Sequence, residues 1–207
     1  MEESFRREIE RMVGLNIENK AQNTSVHEIH GRQGFVQYGA IKSIPTRIRT
    51  TGEMEAHPLF AAALLDRART LSKDAAKETI ILVAHGSEDD QQNEPWLQIL
   101  EALAMHMRMR KTGGNEFCAI RMATWREDWP DKRGPWIEKV RTMVKEAQKQ
   151  GGSALVIPVR IMNEGHEKKF LAGLEYELGS GFARHPLFAQ WVEEQIKADM
   201  VQLGVNK

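Results

Sequence analysis

Hydrophobic positions change period along the chain, and those changes mark its elements. Residues 2–13 place Phe5, Ile9 and Met12 or Val13 on one stripe, which predicts a helix. From Gly14 to Gly39 the chain is polar, punctuated by glycine and without period, and reads as irregular. Ile41 to Thr50 reads as extended, with Pro45 suited to a sheet edge rather than a central ladder. His57-Pro58-Leu59-Phe60 opens the next run, in which Phe60, Leu64 and Leu71 share a face. A helix over about 58–72 is expected, because a helix's first turn tolerates proline.

The clearest stretch follows. Thr79 to Ala84 is a short apolar run closed by His85-Gly86-Ser87, and a stripe of Trp96, Ile99, Leu100, Leu103 and Met107 comes next. This predicts a buried strand feeding a helix over about 93–111. Glu116–Thr124 reads as a second strand with Cys118 as a small core residue, and 125–135 as a loop rich in tryptophan, acid and proline. A helix over 135–149 carries Ile137, Val140, Val144 and Ala147 inward. Ser153–Ile161 is a third strand, 163–167 a turn and 168–178 a helix. The last helix opens at His185-Pro186 and is expected to bury Leu187, Phe188, Trp191, Val192 and Ile196. The order βαβαβα is that of a parallel α/β sheet with helices on both faces.

His-Pro-Leu-Phe occurs twice, at 57–60 and 185–188. Each copy lies downstream of an Ile-Pro-x-Arg-Ile segment, at 44–48 and 157–161. Two matching elements in one order suggest related half-domains. Residues 1–72 are then a partial or diverged N-terminal half, and 73–207 a complete unit.

Charge and composition narrow the function. Lys plus Arg and Asp plus Glu are 29 each, so the chain has no basic field of the kind that nucleic-acid binding relies on. A single cysteine, Cys118, allows neither an intrachain disulfide nor a cysteine-rich zinc site. The start, MEESFRRE, is charged where a signal peptide is apolar, and no run is long enough to cross a bilayer. A cytoplasmic protein that binds neither membrane nor nucleic acid is expected.

Two histidines follow predicted strand ends, His85 after the first strand of the unit and His166 after the third. Strand C-termini of a parallel sheet open on one edge, so both can face one cleft. Imidazole ligates Co²⁺, Ni²⁺, Fe²⁺ and Zn²⁺ and accepts protons near neutral pH. The neighbouring acids Glu88, Asp89, Asp90, Glu164 and Glu167 are available to complete a metal shell, orient a ring or take a proton.

LVAHGSEDDQQNEPW, the strand ALVIPVRI, the turn NEGHEKK and the late HPLF helix together resemble the CbiX-type sirohydrochlorin cobaltochelatases, class II tetrapyrrole chelatases related to the sirohydrochlorin ferrochelatases. The resemblance covers about 78–205, and more faintly 40–72. It rests on the ordered set, with His166 eight residues beyond the strand proline Pro158. It implies a flavodoxin-like chelatase fold and insertion of a divalent metal into a tetrapyrrole without ATP or an organic cofactor. Co²⁺ is the leading metal, with Ni²⁺ or Fe²⁺ as alternatives. It places metal handling and catalysis on His85 and His166. Short family members pair as homodimers to rebuild a two-lobed cleft and longer ones carry two units in one chain; this chain lies between the two sizes, so a homodimer and a single-chain cleft both stand open. A carboxylate-rich macrocycle calls for cations, for which Arg121, Arg126 and Arg160 are the candidates. Ser87 and the amides opening the next helix are expected to take a substrate carboxylate, and Glu88, Glu164 and Glu167 to accept protons. Arg160 departs from a strand that is usually apolar in related sequences.

A serine hydrolase using His-Gly-Ser is excluded by the lack of any G-x-S-x-G elbow. The rival is a non-catalytic chelatase-like module that binds metal or tetrapyrrole.

Overall fold

A computed structural model describes residues 56–110, 116–149, 151–161 and 165–202. The expected helix at 2–13, the irregular segment after it, the extended run at 41–50 and Glu164 lie outside these residues. The chain divides into two compact units, Glu55–Lys197 and a second made of Met1–Met54 with Ala198–Lys207. Of the second, only the end of the last helix is described. The first includes the helix at 58–71, on the N-terminal side of the 72/73 boundary expected from the repeat.

Helix α1 spans Pro58–Leu71, and a 3-10 turn at Ala75–Lys77 leads into strand β1, Glu78–Ala84. Then come α2 (Asp90–Met109), β2 (Ala119–Thr124), α3 (Pro130–Lys149) and β3 (Ser153–Pro158). The last elements are α4 (Glu167–Phe170), β4 (Glu177–Leu178) and α5 (Pro186–Gln202). The strands form a sheet in the order β2-β1-β3-β4, every neighbouring pair parallel. That is the doubly wound order in which the chain reverses direction across the sheet between β1 and β3. All seven residues of β1 are buried, as a central strand covered on both faces requires. On one face Ile81, Val83, Ala123 and Val156 pack against Val140, Val144 and Ala147 of α3 and Phe170 of α4. Helices α1 and α2 cover the other face, burying Phe60, Leu64, Leu100, Leu103 and Met107.

Several expectations are corrected. The helix expected over 168–178 is one turn, because Gly173 adopts φ +80 and releases the chain. Glu177 and Leu178 then pair with Leu155 and Val156 as a fourth strand. The expected loop at 125–135 is helical from Pro130. Proline at the first position suits the helix start, and Pro135 forgoes one bond in the second turn. Helix α2 likewise starts early, at Asp90, because the Asp89 side chain accepts from Gln92 N and caps it. Strand β2 starts only at Ala119, and Cys118 just before it is exposed rather than in the core. Helix α5 docks through Phe188 and Trp191 on Phe60 of α1, and leaves Val192 and Ile196 exposed. Among the described residues no helix is long and apolar enough to cross a membrane.

Candidate functional site

The C-terminal edge of the sheet gathers side chains from three strand ends. His85 directly follows β1, Glu127 and Asp128 follow β2, and Arg160 and His166 follow β3. Ligands of doubly wound sheets bind where strand order reverses, which here lies between β1 and β3.

Backbone bonds set the turns. Trp125 N donates to Ala84 O at 2.8 Å and Arg126 N to His85 O at 2.7 Å, continuing the β1–β2 ladder past both strands. Gly86 turns the chain with φ +83. A methyl group there would meet Asn93 Oδ1 at 2.6 Å and Thr124 Cβ at 2.7 Å, so both the dihedral and the space demand glycine. Arg126, itself at φ 51, is buried and ties the two loops together. Its Nε donates to Ser87 O at 2.7 Å, Nη1 to Asp90 Oδ1 at 2.5 Å, and Nη2 to Glu88 O. The Arg126 guanidinium, with Lys132 beside it, holds the Asp90 carboxyl below its usual value.

The centre of the site is Glu127, which the sequence reading did not single out. Its side chain is 7% exposed, beneath histidines that are 36% (His85) and 54% (His166) exposed. Glu127 Oε2 lies 3.2 Å from His166 Nδ1, and Oε1 lies 3.9 Å from His85 Nε2. The second ring contact of His85 is Asp128, whose Oδ2 is 2.8 Å from the same Nε2. His85 Nδ1 faces the Gly86 carbonyl at 2.9 Å and Nε2 faces carboxylates, so both ring nitrogens meet acceptors. Nε2, directed at the two acids, is the nitrogen a metal would take by displacing those contacts, with the backbone contact at Nδ1 holding the ring. Trp129 meets the His85 ring edge-on and Phe170 stacks on His166, so an aromatic side chain fixes each imidazole.

Arg160 lies behind Glu127. Nη1 donates to Glu127 Oε1 at 3.3 Å and Nη2 to Glu167 Oε1 at 2.5 Å, and the Glu167 side chain is 1% exposed. Before the imidazoles are counted, Glu127, Asp128 and Glu167 outnumber Arg160 by two negative charges. A divalent cation would balance that excess. Among the described residues no three His, Cys, Asp or Glu side chains are already spaced to hold an ion. They bond to one another, and a metal would replace those contacts.

The structure thus brings His85, His166, Arg160 and Glu167 into one cluster, and separates the other expected residues from it. Arg121 pairs in mid-β2 with Glu146 near the end of α3, toward the opposite edge of the sheet. Arg126 is spent on the loops. The hydroxyl of Ser87 is engaged with Gln92 Oε1 at 3.2 Å, and its amide donates to Asn93 Oδ1. Glu88 is exposed on the loop, while Glu167 is buried against Arg160. A sequence signal for Glu127 did exist: Glu-Asp stands three residues past the end of β2, beside the end of β1 that carries His85.

No family model matches the chain, and no curated protein is significantly similar to it. Among solved structures it is similar to DR2241 from Deinococcus radiodurans, a multi-domain protein with structural similarity to chelatases but also with two additional novel domains. Identity is 19%, the match covers 68% of this chain and 29% of that one, and the TM-score is 0.44. The chain therefore spans less than a third of that protein's length.

Proposed function

We propose that this chain inserts a divalent metal ion into a carboxylate-rich tetrapyrrole of the sirohydrochlorin type, without ATP. Co²⁺ is the leading metal and Ni²⁺ or Fe²⁺ the alternatives. The observation that carries this reading is the buried carboxylate of Glu127 lying between two strand-end histidines at the point where strand order reverses. Mixed imidazole and carboxylate donors suit these ions, and the uncompensated negative charge of the cluster attracts them. The resemblance of the histidine-bearing segments to the CbiX-type chelatases supports the same reading.

In this scheme the metal is a substrate. It displaces the contacts that His85 Nε2 makes with Asp128 and His166 Nδ1 makes with Glu127, and takes those nitrogens and oxygens as temporary ligands. The macrocycle lies over the open, histidine-bearing edge, with its carboxylates toward Lys168 and Lys169, both exposed on α4 beside His166. The pyrrole nitrogens lose two protons as the metal transfers. Asp128, partly exposed and 2.8 Å from His85 Nε2, is the carboxylate best placed to receive one, and the other leaves to water at the open edge. A second copy of the chain would supply the facing wall of the cleft.

The decisive experiment adds Co²⁺ and sirohydrochlorin to the purified chain and follows the macrocycle's absorption spectrum. Conversion faster than in buffer, lost in H85A and H166A, is expected; no acceleration with Co²⁺, Ni²⁺ or Fe²⁺ would overturn the proposal. A second reading is a non-catalytic module that keeps the metal or macrocycle it binds, for which the pairing of Glu127 and Glu167 with Arg160 speaks. It is distinguished by tight binding of Co²⁺ or of the macrocycle without turnover.

A further inference from the structure

Arg160 was expected to bind substrate carboxylates, yet its guanidinium faces inward. Its side chain is 16% exposed, and its two terminal nitrogens are divided between the carboxylates of Glu127 and Glu167. It thereby holds a positive charge within 3.3 Å of the same carboxylate oxygen that approaches His85 Nε2. A metal ion entering between His85 and His166 must share Glu127 with that charge.

We propose that Arg160 is a built-in counter-charge that keeps metal binding weak enough for the ion to be passed on, while Glu167 limits how much of that charge reaches the metal. This deepens the chelatase reading and rests on it. The reasoning is electrostatic. Like charges a few ångströms apart repel strongly enough, even in well-screened protein surroundings, to shift a binding constant by about tenfold. Glu167 is buried and bonds the other arm of the fork, so it neutralises part of the guanidinium and fixes its orientation. With both charges present, the carboxylate between the histidines is oriented and only partly available. A site that must surrender its ion to four pyrrole nitrogens benefits from such restraint, because affinity that does not rise in the transition state slows transfer.

The test is Co²⁺ titration of the full chain by calorimetry, with no macrocycle present, in the wild type, R160Q, R160K and E167Q. R160Q is expected to bind Co²⁺ roughly tenfold more tightly, and R160K within about threefold of wild type. E167Q, which frees the whole guanidinium charge toward Glu127, is expected to bind roughly tenfold more weakly. R160Q leaves two buried carboxylates without their partner and loses stability, so its Tm is read with and without Co²⁺. The metal should raise that Tm by more than it raises the wild type's, because tighter binding stabilises more at equal concentration. If R160Q does not fold, E167Q decides, since it keeps the fork and a polar partner for it. Unchanged affinity in both R160Q and E167Q, or weaker binding in R160Q, overturns the proposal. Loss of tetrapyrrole binding in R160Q with Co²⁺ affinity unchanged also overturns it, in favour of a substrate-binding role. Failure of the wild type to bind Co²⁺ at all defeats the underlying chelatase reading instead.

Discussion

Oε2 of Glu127 lies 3.2 Å from Nδ1 of His166, joining residues 39 apart in sequence that follow β2 and β3, the two strands flanking β1. The contact pairs a buried acid with an exposed ring, so the ring has solvent on one side and fixed negative charge on the other. A histidine so held is pre-aimed. Rotating it away would strand a carboxylate whose other oxygen is already committed to Arg160.

Replacing Glu127 by glutamine should therefore lower Co²⁺ affinity by about tenfold to a hundredfold, the range lost when even an outer partner of a metal-bound histidine is removed. Glutamine keeps the shape and still offers Arg160 an oxygen, so the urea midpoint should change little. Titration calorimetry beside a denaturation curve separates the two effects. Wild-type affinity in E127Q would assign the binding to His85 and Asp128 alone.

Arg126 is expected to behave as a clamp. It is buried and bonds Ser87 O, Glu88 O and Asp90. R126M leaves two loop carbonyls and one carboxylate without that partner, and should cost about 2–4 kcal/mol of stability. Residual metal-insertion activity at low temperature should show an unchanged KM for the tetrapyrrole. A raised KM with unchanged stability would return Arg126 to the substrate-binding role.

Gly86 offers a sharper test of how the loop places His85. Alanine at φ +83 is strained, and its methyl would press on Asn93 Oδ1 and on Thr124, whose side chain is fully buried. G86A should lose about 1–3 kcal/mol. It should also bind Co²⁺ more weakly than its stability alone explains, because relief of the clash must move the β1–α2 turn. Equal affinity in folded G86A would mean that His85 is positioned by Trp129 and Asp128 without the turn.

The alternation of strand and helix from residue 78 onward was legible because each element has its own apolar signature. β1 is uniformly buried, and α2 and α3 carry stripes at helical spacing. What sequence could not convey was decided by contacts between distant segments. Two residues of β4 are strand only because Leu155 and Val156 lie beside them. Val192 and Ile196 share α5's apolar stripe, but it is Phe188 and Trp191, in its first two turns, that meet Phe60. In the site, His85 and His166 were visible because strand-end position and residue type coincide. Glu127 was hidden in an acidic, tryptophan-rich loop where carboxylates are commonplace. Arg160 pointed the opposite way: the third strand, expected to run to Ile161, ends at Pro158, and only the fold reveals that the anions Arg160 meets are not the substrate's but the buried Glu127 and Glu167.

The repeated His-Pro-Leu-Phe motif predicts a pH dependence outside the site. His57 Nδ1 accepts from Leu59 N and His185 Nδ1 from Leu187 N, each at 3.2 Å, so both motifs cap their helices in the same way. Phe60 and Phe188, the last residues of the two copies, lie 6.3 Å apart in the aromatic cluster joining α1 to α5. A proton on Nδ1 removes the acceptor and with it the cap. Burial, with Arg67 nearby, pushes His185 below its ordinary value of 6.5, outweighing the opposite pull of Asp66. A histidine whose folded value is depressed takes up its proton more readily when unfolded. Its contribution is therefore complete above about pH 6.5 and is lost as pH falls through the lowered folded value. The loss should be about 1 kcal/mol, the worth of a helix cap. H185N should retain a capping acceptor and flatten the decline between pH 6.5 and 4.5 in urea denaturation series. An H185N series as steep as the wild type's would show that other groups carry the acid sensitivity.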